Sequence, residues 1–422
     1  HQMNQRAGEA FGVPVLRLPL KKSAKIVVGN ALRIDWNSML PARQCSFVLG
    51  NPPFVGAMLM SDAQREDLVS VTGDAKGVGV LDYVAGWYFK AAAYIKGKTI
   101  RCAFVSTNSI TQGEQVGILW EPLFRDYGLK VHFGHRTFSW MSEARGKAHV
   151  HVVIVGFGAT DAPNKRIYDY GDDSETATVA KATNISPYLF EGPDACLRNR
   201  RDPLCAVPAM AWGSQPRDGG NLILTAEERE HLLAKEPEAN HWIKGYLGAD
   251  EFLNGDGRYC LWLVNCPPAK LRAMPAVLDR VQEVRKMRLA SKAASTRRFA
   301  ETPSIFAQIA HKEVPYLFLP IVSSERRDYI PMGFMQPSTI ASNLAMIVTG
   351  ATKFHLGMLS SAMHMAWVRQ FCGRLKSDFR YSKDIVYNNF PWPTPDAKQR
   401  AAVEAAAQFV LDARAQFKGQ TL

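Results

Sequence analysis

The first half of the chain alternates short apolar runs with segments of helical period. Lys25 to Val28, Phe47 to Leu49, Arg101 to Val105, Leu129 to Phe133 and Val150 to Phe157 read as strands. From Asp82 to Ile95, the residues Tyr83, Trp87, Ala91 and Tyr94 recur at i, i+4, i+8 and i+11, a stripe along one side of a helix. Strands interleaved with helices predict an α/β domain with a mostly parallel sheet. Only irregular sequence separates the last two strands, so these are expected to pair antiparallel at an edge.

After Phe157 the pattern breaks. GATDAPNKRIYDYGDDSE is polar and rich in turn formers, so residues 161–182 are expected to be a linker between a first domain, 1–160, and a second, 183–395. The second domain holds a strong turn signal, Pro216-Arg217-Asp218-Gly219-Gly220, and helix candidates at Thr225 to Leu233 and Lys270 to Arg298, as an α+β fold would. The last of these is strongly basic, with nine Lys or Arg and two acidic residues. The Ala-rich stretch 396–422 predicts a closing helix.

The length of 422 residues allows two or three domains, and 47% apolar with 21% charged residues is a globular composition. Charge adds more: 51 Lys and Arg against 39 Asp and Glu leave a formal +12, which favours polyanionic partners, nucleic acid first among them. The seven cysteines contain no C-x-x-C pair, so neither a zinc ribbon nor a disulfide framework is expected, and a reducing cytoplasm is the expected setting. No run of about 18 apolar residues occurs, so no membrane span is expected. His132, His135, His149 and His151 have no carboxylate or cysteine at ligand spacing, which argues against a metal centre.

Candidate chemistry begins where the second apolar run ends, in Asn51-Pro52-Pro53-Phe54. Ligands of open α/β sheets gather at the carboxyl ends of the strands. Two prolines there fix φ and remove two N–H donors, which leaves the Asn51 amide and a neighbouring carbonyl as rigid acceptors. Such a pair suits a planar exocyclic amine, which carries two N–H donors. An aromatic amine is a poor nucleophile because its lone pair is delocalised into the ring. Two acceptors that draw it toward tetrahedral geometry localise the pair and make methyl transfer from a sulfonium feasible, with Phe54 as a stacking face. A plain loop turn is the other reading of the tetrapeptide alone.

Taken with its neighbours, the tetrapeptide resembles motif IV of amino-methylating, S-adenosyl-L-methionine-dependent methyltransferases. The stretch from Val27 to Trp36 is similar to the strand and loop that hold the donor's adenine ring, which implies Asn30, Ala31, Leu32 and Asp35 as cofactor-binding residues. Many relatives have Asp where Asn30 stands; its side-chain oxygen would accept from the adenine amine. Leu81-Asp82-Tyr83 resembles motif V, and Ala103 to Ile110 motif VI. Arg136 to Phe157 resembles motif VIII, where an aromatic residue in a loop supports an extruded base from its other face, a role open to Phe138 or Trp140.

The motif order, with a recognition region last, resembles the γ arrangement of DNA adenine methyltransferases. LDYVAGWYFKAAAYI, STNSITQGEQVG, HRTFSWMSEARGKAHVHVVIVGF, SSERRDYIPMGF, MHMAWVR, GRLKSD and YNNFPWP are similar to the MmeI-like family of single-chain type II restriction-modification enzymes. This resemblance covers nearly the whole chain. It implies a Rossmann-like class I methyltransferase sheet, N-terminally truncated, in 1–160 and a target-recognition domain in 183–395. It also implies methylation of the N6 amine of a flipped adenine in double-stranded DNA, in a bacterial cytoplasm, N6 being favoured over cytosine N4 because Asn heads the motif. Family members carry a nuclease domain and a glycine-rich donor loop ahead of the region seen here. His1-Gln2-Met3-Asn4 resembles the segment just after the second strand, so both are expected upstream of residue 1. The glycine-rich stretch Thr72 to Gly79 is read as a mobile loop over the pocket rather than as a replacement cradle.

Extrusion of a base costs a few kcal/mol, offset by phosphate contacts and by base-edge readout. Arg285, Lys286, Arg288, Lys292, Arg297 and Arg298 are candidates for phosphates, or else a solvated helix face. Glu325-Arg326-Arg327 offers forked donors and an acceptor to base edges, or forms an internal ion-pair cluster. Arg374, Lys376, Arg380 and Lys383, interleaved with Phe379 and Tyr381, suit the DNA backbone. Two rival readings are a protein-glutamine methyltransferase, whose substrate amide also has two N–H donors, and a DNA-binding specificity module without activity.

Overall fold

The computed structural model describes residues 24–73, 75–141, 149–171, 176–255 and 257–417. Six strands, β1 (Phe47–Gly50), β2 (Arg101–Thr107), β3 (Lys130–Met141), β4 (His149–Gly158), β5 (Lys165–Asp169) and β6 (Thr178–Ala182), form one sheet in the order β1-β2-β4-β3-β5-β6. It is mixed rather than mostly parallel: only β1–β2 and β3–β5 run parallel. The β3–β4 pair is antiparallel as expected but lies inside the sheet, because β5 and β6 extend it beyond β3.

Residues 161–182 therefore include two strands of the sheet and are not a linker over their whole length. Their polar composition hides this for a physical reason. Lys165 points inward and is only 2% exposed, with its Nζ bonded to Asp161 at 2.8 Å and Asn184 at 3.1 Å, while β6 is an edge strand that stays largely exposed. Lys25 to Val28 forms no strand; Ile26 and Val28 are exposed, with no ladder partner among the described residues.

Three helices, α1 (Asp62–Thr72), α2 (Ala85–Ile95) and α3 (Gly113–Tyr127), accompany the sheet. α2 starts three residues later than its stripe suggests and buries most of its circumference, since it is apolar nearly all round. Its Tyr88 ring stacks on Phe157 at 5.2 Å and meets Phe104 and Trp120 edge-on, joining helix, sheet and α3 in one core.

The second half is built from short strands in three small sheets. β7 (Met210–Trp212), β8 (Ile223–Leu224), β9 (Ile243–Leu247), β10 (Arg258–Leu261) and β11 (Tyr316–Pro320) are followed by β12 (Val322–Ser323), β13 (Gly333–Met335), β14 (Thr339–Ala341), β15 (Ala345–Thr349), β16 (Gly373–Leu375) and β17 (Asp378–Arg380). The sheet orders are β14-β9-β10-β8, β13-β11-β15-β7 and β12-β17-β16. Among the helices are α4 (Ala226–Lys235), α5 (Pro275–Ala290), α6 (Lys353–Leu359), α7 (Ala362–Phe371) and α8 (Ala397–Gln416). The basic helix expected over 270–298 is broken: a short turn of helix ends at Arg272, and Pro275 opens α5 at a position where its missing N–H is harmless.

The two halves are fastened in named places. Arg198 pairs with Glu121 of α3, and Asn199 Nδ2 donates to Glu114 of the same helix at 2.8 Å. Gly113, with φ +54°, opens α3 directly against Gly373; a side chain there would sit 3.2 Å from the Gly373 Cα. The positive φ and the close approach both favour glycine at 113.

Candidate functional site

β1 ends at Gly50, packed against the Phe104 ring, and Asn51 follows with an exposed side chain. Pro52 is buried, Pro53 exposed and Phe54 half-buried. Neither the Asn51 side chain nor residues 52–54 make a hydrogen bond to the described residues. The next three residues are pinned. The Tyr83 N–H donates to Val55 O at 2.9 Å, the Ala57 N–H to Asp82 Oδ1 at 3.1 Å, and Arg65 Nη2 to Ala57 O at 2.9 Å. A turn with free acceptors thus stands on a fixed base.

The residues expected to hold the donor are largely occupied within the protein. Asn30 Oδ1 accepts from Leu32 N at 2.9 Å, and its Nδ2 donates to Asp67 at 2.7 Å and to the Tyr83 hydroxyl at 3.3 Å. Its amide is engaged at both ends. Leu32 is buried against Gly86, and Asp35 caps the short helix Trp36–Met39 through the Asn37 N–H while remaining exposed. The Ala31 main-chain N–H has no partner among the described residues. Asp67 closes the network. Burial alone would push its pKa up, but hydrogen bonds from Arg33, Tyr83 and Asn30 and the Arg33 charge hold it below the usual carboxylate range.

Phe138 and Trp140 lie on β3 rather than in a loop, opposite Val152 and Val150, and a bulge between His135 and Phe138 re-aims the strand. The Phe138 ring packs on Tyr170 at 4.7 Å, and Tyr170 shares a 2.7 Å hydrogen bond with His135 Nδ1. Burial lowers the His135 pKa, which favours the neutral ring. Trp140 is 39% exposed beside Phe138, their centroids 6.1 Å apart.

Phe138 lines a cleft of about 920 Å³ between the sheet and the second half. Its walls carry Asn108, Gln112, Arg136 and His151 on one side, and Glu325, Arg326, Arg369, Arg374 and Lys376 on the other. Five of the lining residues are basic and two, Asp169 and Glu325, acidic, so the cleft is positive. Residues 51–54 do not line it. They connect to it through Asp82, which also accepts from Thr107 Oγ1 at 2.8 Å, one residue before Asn108.

The basic candidates separate. Arg374 spans its hairpin by donating to Ser377 O and lies 3.9 Å over the Phe379 ring, while Lys376 sits exposed at the hairpin tip. Glu325 and Arg326 are exposed on the cleft wall, and Arg327 is half-buried. Arg285, Lys292, Arg297, Arg298 and Arg380 are exposed but outside the cleft lining. Arg288 corrects the sequence reading: it is fully buried, and its guanidinium donates to the carbonyls of Arg217, Phe299, Thr302, Pro216 and Ile305 at 2.8–2.9 Å. No donor remains for a phosphate, since five is all that Arg has.

Sequence reasoning missed Arg136 and Arg369. Both fall inside stretches that resemble the family, HRTF and MHMAWVR, but nothing local marks them as cleft-facing. Arg136 is paired with Asp169 at 2.6 Å. His132 is bonded to Thr160 O, and the described residues contain no cluster of three potential metal ligands. No helix among them is long and apolar enough to cross a membrane. The N-terminal segment His1 to Asn4, Asp74 of the glycine-rich stretch and the His149 side chain lie outside the described residues.

A Rossmann-like sheet with open acceptors at its strand tips, joined across a basic cleft to an α+β half, defines a class I methyltransferase fold followed by a recognition domain. Comparison with known proteins agrees. Residues 1–169 match the model of the MmeI DNA-methyltransferase domain, and residues 191–394 that of the MmeI target recognition domain. The chain is 37% identical over 426 residues to DNA methyltransferase A of Bacillus subtilis (strain 168), an alignment covering 100% of this chain and 48% of that protein. Its fold matches the structure of the type IIL restriction-modification enzyme MmeI in complex with DNA, with a TM-score of 0.92 and 45% identity, over 100% of this chain and 56% of that one. The chain belongs to the MmeI family, and it spans about half the length of the curated relative it matches.

Proposed function

We propose that this chain is the methyl-transfer and target-recognition part of a restriction-modification enzyme, and that it methylates the N6 amine of an adenine turned out of double-stranded DNA. The observation that carries this reading is the unsatisfied Asn51–Phe54 turn standing on the pinned 55–57 segment. The Asn51 side-chain oxygen and a neighbouring carbonyl accept the two N–H bonds of the target amine, localising its lone pair. Rigid acceptors supply this without reorganising during the reaction. Phe54 stacks on one face of the extruded base. Phe138 is assigned to the other in preference to Trp140, because Phe138 lines the cleft.

S-adenosyl-L-methionine, when bound, supplies the electrophilic sulfonium methyl. The chain offers its adenosine part the free Ala31 N–H, a match for a ring-nitrogen acceptor, and the exposed Asp35 carboxylate, a match for hydroxyl donors. Asn30 then shapes the loop through Asp67 and Tyr83. In the cleft, we assign Arg136, Arg369, Arg374 and Lys376 to phosphates and Glu325 and Arg326 to base edges, with the neighbouring Arg327 beside them. Arg285, Lys292, Arg297, Arg298 and Arg380 remain candidates for flanking phosphates on a second face.

The test is Asn51→Ala in the intact gene product. Its kcat for methyl transfer to unmodified genomic DNA is expected to fall about 10²- to 10³-fold, as when one preorganised partner of a reacting group is lost. DNA affinity should be unchanged, and the wild-type product should be N6-methyladenine on nucleoside analysis. Methylation retained by Asn51→Ala, or N4-methylcytosine as product, overturns the reading.

A further inference from the structure

We infer that Asp82 and Tyr83 are paired positioning residues, which set the acceptor turn against the donor-side loop for methyl transfer. The inference rests on the function proposed above for Asn51–Phe54. Asp82 is 5% exposed. A carboxylate at such depth is unfavourable unless its lone pairs are filled. Three elements fill them: the turn through the Ala57 N–H at 3.1 Å, α3 through Gln115 Nε2 at 3.1 Å, and the end of β2 through Thr107 Oγ1 at 2.8 Å. The Asp82 N–H returns a bond to Gln115 Oε1, also at 3.1 Å. One side chain therefore joins the turn, the strand that ends at the cleft wall and the helix that abuts the recognition hairpin.

Tyr83 works in two directions. Its main-chain N–H holds Val55 O at 2.9 Å, one residue beyond Phe54. Its hydroxyl donates to Asp67 Oδ2 at 2.8 Å and receives the Asn30 amide at 3.3 Å, and its ring meets Trp87 edge-on at 5.2 Å. Asp67 in turn holds Arg33 at 2.5 Å. Two adjacent residues thus fix the loop at 30–33 and the turn at 55–57 in one frame. Both lie in the turn before α2, which begins at Ala85; the Tyr83 ring is buried in the same apolar core as Tyr88, while its hydroxyl and main-chain N–H hold the polar groups of the loop and the turn. Reacting groups must meet within a fraction of an ångström, and a shift of about 1 Å costs roughly 100-fold in rate.

The experiment compares Asp82→Ala, Asp82→Asn, Tyr83→Phe and Asn51→Ala in the intact gene product. Single-turnover methylation of unmodified genomic DNA is measured alongside separate titrations of DNA and of labelled S-adenosyl-L-methionine. Asp82→Ala is expected to slow single-turnover transfer about 10- to 100-fold while both affinities stay within about twofold of wild type. Asp82→Asn keeps an oxygen for the Ala57 N–H and should recover most of the rate. Tyr83→Phe cuts only the donor-side link; it should weaken S-adenosyl-L-methionine binding several-fold and slow transfer less than Asp82→Ala does. A merely structural role would lower rate and both affinities together, and that result overturns the inference. So does a wild-type rate in Asp82→Ala when Asn51→Ala is inactive, an outcome that leaves the proposed function standing. Activity in Asn51→Ala removes that function itself, and the inference with it. If Asp82→Ala does not fold, Thr107→Val and Gln115→Ala, each removing one donor, carry the test: a several-fold slower transfer supports the inference and unchanged rates reject it.

Discussion

The turn after β1 and the helix that carries Arg288 treat their polar groups in opposite ways. In the turn, the Asn51 amide and the carbonyls that follow have no partner among the described residues, and the segment sits at the strand tips with Asn51 exposed. On α5, a charged side chain is fully buried, and each of its five donors meets a carbonyl. The carbonyls gathered by Arg288 belong to residues 216–217 and 299–305, so the guanidinium staples two loops to one helix. Residue type does not separate ligand-binding groups from structural ones here. Unspent hydrogen-bonding capacity does, because a saturated donor has nothing to offer a ligand, whereas an open acceptor is stable only where water or a ligand reaches it.

The sharpest way to break this comparison is Arg288→Met. Five carbonyls would lose the guanidinium, though those of Pro216, Phe299 and Thr302 keep a main-chain N–H, and we expect a loss of about 3 kcal/mol in stability, seen as a lower denaturation midpoint. DNA affinity per folded molecule should not change. A normal midpoint with weakened DNA binding would place Arg288 among the DNA contacts after all.

His364 sharpens the buried side of the comparison through pH. Burial pulls its pKa down to about 3; its Nε2 is bonded to the Tyr381 hydroxyl, and Nδ1 has no partner among the described residues. A folded-state pKa below the unfolded value of about 6.5 means that the unfolded chain takes up the proton first. Stability is then full above about pH 6.5 and falls as pH drops toward 3, by up to about 1.4 kcal/mol per pH unit. Melting curves across that range should show the decline, and His364→Phe should flatten it.

The smallest effect concerns the cleft. Lys376→Ala and Arg369→Ala each remove one exposed or cleft-lining cation without emptying a core. Each is expected to lower DNA affinity a few-fold and to reduce the salt dependence of binding by about one counterion, with the melting temperature unchanged. Arg285→Ala, outside the cleft, serves as the contrast, and a salt slope reduced equally by that variant would extend the DNA-binding face beyond the cleft.

Much of the catalytic half was legible from sequence because its signals are local. A strand followed by two prolines and an aromatic residue places open acceptors at a strand tip, and the later motifs follow in an order that resembles one enzyme family. The strands at 165–169 and 178–182 were not legible. One buries a lysine whose partners, Asp161 and Asn184, compensate its charge, and the other is an exposed edge, so neither shows the apolar alternation that marks a strand. The basic run over 270–298 misled for a related reason: charge reads as solvent-facing, yet Arg288 meets its five acceptors only after loops distant in sequence have closed around it.

The amino-acid sequence by itself determined where the open acceptors of the Asn51–Phe54 turn lie, that strands form at β1 to β4 and helices at α2, α4 and α8, and that the chain carries a net positive charge, since each depends on residues close together along the chain. Tertiary structure alone decided which arginines face the cleft, that Phe138 rather than Trp140 lines it, and that Asp82 and Tyr83 hold the turn at 55–57 and the loop at 30–33 in one frame. Those outcomes are set by hydrogen bonds and packing between segments tens to hundreds of residues apart, and such partners exist only once the chain has folded.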